Sequence, residues 1–237
     1  QRPEVRGNVE VIDRLRDVKI AVRVETVDKL LALIVEIRLD RKLAIEIVAV
    51  FAREPQRTPK LLAHRLIGQV GDVREHPRDL ASLKLAQAFH FTLGDARSML
   101  RLALGSQAAA CDVPQLHGMT AFGHEQCHAM RQAEQAARRA IAMQEKEPWA
   151  HHALAHVMLT EGRIAEGRAF LHDVSPLWVG LNSFMETHNW WHQALFLLEQ
   201  DLHAEALHLY DTQVWGVVKE YSQDQINAIS LLARLEL

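Results

Sequence analysis

The chain has 237 residues, 49% hydrophobic and 24% charged, enough to bury a core as one large domain or two small ones. Its formal net charge of −3 gives no global electrostatic case for nucleic acid or an acidic membrane surface. Cys111 and Cys127 are too few for a disulfide framework, no apolar run reaches bilayer length, and no basic-then-apolar leader stands at Gln1, so a cytoplasmic protein with free thiols is expected.

Residues 1–75 differ in kind from the rest. They are rich in Val, Ile, Arg, Asp and Glu and contain no Trp, Tyr, Met or Cys. Ile20-Ala-Val-Arg-Val-Glu and Leu43-Ala-Ile-Glu-Ile-Val-Ala-Val alternate as strands do, while residues 28–39 fit an amphipathic helix through Leu30, Leu31, Leu33, Ile34 and Ile37. Pro55 and Pro59 mark a break, and residues 68–77 form a polar connector. From Asp79 onward the pattern is helical. Asp79 is placed to cap a helix that Gly94-Asp95 ends, and a second helix is expected over residues 96–104, before Gly105-Ser-Gln. Further helices are expected over residues 115–127, 131–143, 148–159 and 164–172, with Pro148 in a first turn. After a loop at Ser175-Pro-Leu-Trp, helices near 183–198, 203–212 and 224–235 follow.

These helices repeat. Gly94, His128 and Gly162 fall in the turns of three successive helix pairs at a spacing of 34 residues, the tetratricopeptide period, and Asp201 follows 39 residues later, across an insertion of five. Ala133, Gly167 and Ala206 take the small position where one helix crosses its partner, and Ala121, Ala155 and Ala194 take the equivalent position in the first helices. Each pair cannot bury its apolar face alone, so small residues at the crossings let neighbours stack. The expected fold is therefore mainly α, a tetratricopeptide-like antiparallel helix-pair solenoid over residues 76–237, with the segment 1–75 outside it.

Trp149-Ala-His-His-Ala-Leu-Ala-His156, Glu166-Gly-Arg-Ala-Phe-Leu, Thr187-His-Asn-Trp-Trp-His-Gln-Ala-Leu and Glu205-Ala-Leu-His-Leu-Tyr-Asp211 resemble the tetratricopeptide repeat protein 38 family. So does His76-Pro-Arg-Asp-Leu-Ala-Ser-Leu-Lys-Leu, and the resemblance covers about residues 76–237. It implies a helical-repeat fold and no particular reaction. Gln193, where an aromatic usually follows the motif, and the stretch His124 to His128 depart from the family. Residues 1–75 do not look like its upstream helices, which suggests a fused segment, a divergent region or a non-native reading frame.

Fourteen histidines are the compositional outlier. Two pairs, His152 with His156 and His188 with His192, are spaced to stack on one face of a helix. With Trp149, Asn189 and Trp191 they are expected to line the concave groove and to converge between neighbouring first helices. Three of those imidazoles with water would suit Zn²⁺, whereas the plainer reading is a hydrogen-bonded network that fixes the angle between two repeats. A second signal is His124-Glu-Gln-Cys-His128, which matches H-E-x-x-H. It lies across a predicted helix end, with Glu145 and Glu147 as the nearby offers of a third ligand. No nucleophile elbow, P-loop, dinucleotide fingerprint or Cys-x-x-Cys is present. The sequence thus reads as a non-enzymatic scaffold for a protein or peptide partner, without cofactor, nucleic acid or membrane. The alternative is a metal-dependent hydrolase built on the paired histidines or on the His124–His128 match.

Overall fold

The computed structural model describes residues 76–217, 219 and 221–236. The strands or amphipathic helix expected in residues 1–75 lie outside them. The described residues are mainly helical, with nine α-helices and no strand among them. In chain order these are α1 (Leu80–Thr92), α2 (Ala96–Ala110), α3 (Pro114–Gln126), α4 (Met130–Met143) and α5 (Pro148–Thr160). Then come α6 (Ile164–Val174), a 3-10 turn (Ser175–Trp178), α7 (Ser183–Leu198), α8 (His203–Leu209), a π turn (Tyr210–Val214) and α9 (Ser222–Glu236). They divide into two compact units, one ending at Ala153 and one continuing from Leu154, so the boundary falls inside α5.

Local chemistry sets the helix starts. The Asp79, Asp95 and Asn182 side chains accept from the backbone N–H three residues on, at 3.0–3.1 Å, each worth about 0.5–2 kcal/mol to its helix. Pro114 and Pro148 supply first-turn residues whose missing N–H costs nothing there. One expectation fails at α2, which does not stop at Leu104. It continues through Gly105 to Ala110 because Ala103, Ser106 and Ala110 are buried on one side, and that burial outweighs a helical glycine's penalty of about 1 kcal/mol.

The turns between paired helices share one geometry. Gly94, His128, Gly162 and Asp201 all have positive φ, between 57° and 72°. Past each of them the next residue's N–H reaches back to a carbonyl five residues earlier: Asp95 to His90, Ala129 to His124, Arg163 to Met158 and Leu202 to Leu197, at 2.8–3.0 Å. That bond closes the last helical turn and satisfies a carbonyl that would otherwise be orphaned. Glycine adopts this conformation without strain, whereas His128 and Asp201 hold it at a cost of about 1 kcal/mol each.

Within the N-terminal unit α1 packs on α2, α2 on α3 and α3 on α4, around Leu83, Ala103, Ala110, Leu116 and Met119. Gly123 lets α3 approach the α2 backbone, since a Cβ there would lie 2.9 Å from the Leu100 Cα. Within the C-terminal unit α7 is central, touching α6, α8 and α9, and the core gathers Ala194, Leu197, Ala206, Tyr210, Val214, Ala228, Leu231 and Leu232. Gly167 makes the α6 crossing close, because a Cβ there would collide with the Phe196 ring. The small residues expected at crossings, Ala121, Ala133, Ala155, Ala194 and Ala206, are fully buried.

Candidate metal centre

α7 carries the densest chemistry of the C-terminal unit. Its N-terminus is fixed by the Asn182 cap, and its His188 and His192 stand one turn apart on one face. The two ring centroids lie 4.7 Å apart, edge to face. The His156 ring, from α5, lies 4.5 Å from that of His192. The nitrogen donors of these three histidines are within 4.8 Å of one another. Tetrahedral coordination at 2.0–2.1 Å brings nitrogens to about 3.3–3.4 Å, so closing on a metal asks for ring rotations of about an ångström rather than backbone movement.

His188 is the best oriented of the three. It is stacked between Phe184, 5.0 Å away with 21° between planes, and Trp191, 5.3 Å away with 8°. Its Nδ1 lies 3.1 Å from the Asn227 Oδ1 of α9. An amide oxygen only accepts, so Nδ1 carries the proton and donates, which puts the ring's lone pair on Nε2, the nitrogen that would face a metal. One residue earlier, Thr187 Oγ1 donates to the buried Asp224 carboxylate at 2.7 Å, so two adjacent bonds dock α9 on α7. Burial pushes His188 down to about 4, the Asn227 bond opposing and the His156 charge adding to it. His192 is held well below its ordinary value by burial first, then by His156 and His188. Both rings are therefore neutral at pH 7, the form that coordinates metal.

His152 stands one turn before His156 on α5, in the N-terminal unit, where it is buried with its ring 5.5 Å from Phe122 and 5.6 Å from Trp149. Trp149 is half-buried against the same rings. Asn189 is fully buried, and neither polar atom of its side chain has a hydrogen-bond partner among the described residues. Trp191 is half-buried against His188, with the Arg234 guanidinium 5.6 Å from its ring centre. His151, which spacing did not single out, is buried and pairs its Nε2 with the Glu145 carbonyl at 2.8 Å. An open cleft of about 730 Å³ in the C-terminal unit is lined by Trp190, Gln193 and Leu197, the opposite face of α7 from His188 and His192.

The His124–His128 segment does not assemble. α3 ends at Gln126, Cys127 caps it, and His128 lies beyond in the left-handed conformation, exposed. The continuous helix that would stack the two rings is missing, and the segment joins no group of three donor residues among those described. Glu125, the would-be base, is buried and accepts from Gln126 Nε2 at 2.7 Å. Of the third-ligand offers, Glu145 is exposed and Glu147 is buried at the start of α5. Cys111 and Cys127 are both free. No described helix is long and apolar enough to cross a membrane.

No family model matches the chain, and no solved structure matches it.

Proposed function

We propose that this chain is a tetratricopeptide-like helical-repeat protein whose chemistry is concentrated in a divalent metal centre formed by His156, His188 and His192. The repeat reading is supported by the identical turn geometry at Gly94, His128, Gly162 and Asp201. The metal reading is carried by one observation, that three imidazole donors converge within 4.8 Å, and the Asn227 bond supports it by presenting His188 through Nε2. Imidazole donors without thiolate or carboxylate suit Zn²⁺ among the abundant divalent ions. Three neutral ligands leave the ion's double charge uncompensated, which favours a hydroxide or an anionic substrate at the fourth position, where zinc also lowers the pKa of bound water. We assign a zinc-dependent hydrolytic role to the centre on that basis. A protein or peptide partner is proposed at the level of class, from the extended surfaces that repeat proteins present.

Zinc titration of untagged protein against a chromogenic chelator tests the centre. One equivalent per chain is expected, and none should remain in the His188→Ala, His192→Ala double variant. The paired bonds from Thr187 and His188 to α9 favour a second reading, a polar brace holding α9 on α7. Under that reading the double variant melts earlier but parent and variant bind zinc equally weakly.

A further inference from the structure

A second cluster lies wholly within the N-terminal unit. Lys84, in the middle of α1, is half-buried, with its Nζ 3.0 Å from the centre of the Trp149 ring and 5.6 Å from that of Phe122. The Phe122 ring lies 5.5 Å from both Phe91 and Trp149, so the amine stands against a continuous aromatic wall whose outer member, Phe91, is half exposed. Trp149 is held there by the first turn of α5, where the buried Glu147 accepts the Ala150 N–H through Oε2 at 2.6 Å. Gly118 makes room for that carboxylate, since a Cβ at 118 would collide with Glu147 Oε2. The Glu147 charge acts on Lys84 through space, without a hydrogen bond between them.

We propose that Lys84 is a nucleophilic amine that condenses with a small apolar aldehyde or ketone held against Phe91, Phe122 and Trp149, with Glu147 moving the protons. An amine in a desolvated apolar site is the arrangement that activates lysine for imine chemistry. Burial pushes Lys84 down to about 7 against the pull of Glu147, which leaves a large share as free base at neutral pH. Burial pushes Glu147 up to about 7, with the Ala150 bond, the Lys84 charge and a Trp149 bond opposing, so its acid form is populated in the same range. In the step, the nitrogen lone pair forms the C–N bond while the carbonyl π pair moves to oxygen. One N–H proton passes to that oxygen, giving a carbinolamine. The Glu147 acid then protonates the hydroxyl, the C–O bond breaks and water leaves. The Glu147 carboxylate takes the remaining N–H proton, and the neutral imine results without oxidant or reductant.

The test uses the full chain with benzaldehyde and cyanoborohydride at pH 7, which reduces each imine to a stable secondary amine, followed by peptide mass mapping. Lys84 should be modified at least ten times faster than the exposed Lys146. Arg in place of lysine (Lys84→Arg) removes the fast site, and Glu147→Gln slows it several-fold, with helicity of both variants checked by circular dichroism. The parent alone decides the amine's role whatever the variants do: modification of Lys84 at or below the Lys146 rate overturns the proposal. An unchanged Lys84 rate in folded Glu147→Gln overturns the role of Glu147.

Discussion

At His124 and His128 a four-residue spacing runs off the end of α3, whereas at His188 and His192 the same spacing stays inside α7. The first segment matches a known zinc pattern and does not assemble; the second matches none and brings its rings to 4.7 Å. Spacing is informative only while the helix that converts it into a shared face continues. A turn residue with φ of 57° ends that conversion at His128, and the Asn182 cap, sixteen helical residues and the packing of α9 protect it at His188.

The comparison is broken most forcefully by deleting one ring on each side. His192→Ala should weaken zinc binding at least about 1,000-fold, about 4 kcal/mol, while His128→Ala changes it less than twofold. Equal losses in chelator competition would place the metal elsewhere. The pH axis follows. His188 has its folded pKa near 4, below the ordinary 6.5, so the unfolded chain binds the extra proton between those values. Its contribution to stability is fully present above about pH 6.5 and is lost as pH falls toward 4, at about 1.4 kcal/mol per unit and on the order of 3 kcal/mol in all. Urea midpoints between pH 4 and 7 should therefore fall less steeply for metal-free His188→Gln than for the parent, and parallel curves would count against the buried neutral ring. Next in size, Asn227→Ala removes the acceptor that orients His188 and should cost about tenfold in zinc affinity, about 1.4 kcal/mol. The smallest effect is expected at the turn, where His128→Gly relieves the left-handed strain and raises stability by up to about 1 kcal/mol without altering zinc affinity.

Much of this was legible in the residues. Gly94 and Gly162 announce left-handed turns, and their register with His128 and Asp201 placed two further turns at residues that do not favour that geometry. The α7 boundaries were readable because Asn182 caps the start and the apolar pattern runs to Leu198. The end of α2 was not, since Gly105 reads as a breaker unless the burial of Ser106 and Ala110 is known. For the site, periodicity could pair His188 with His192 but could not reveal the Asn227 contact, which depends on how α9 docks. Lys84 was invisible for the same reason: its neighbours Phe122, Glu147 and Trp149 are distant in sequence and meet it only through tertiary packing. His151 and His152 are adjacent and both buried, so composition alone could not tell which is spoken for by a carbonyl.

The most direct measurement is the visible absorption spectrum of the untagged protein titrated with Co²⁺, which reports coordination number and saturates at the site stoichiometry. A centre built on His156, His188 and His192 should give the strong ligand-field bands of a four-coordinate ion, complete at one equivalent, displaced by zinc, retained in His128→Ala and absent from His192→Ala. Weak six-coordinate bands that grow without saturation, or a spectrum unchanged in His192→Ala, would contradict the metal centre.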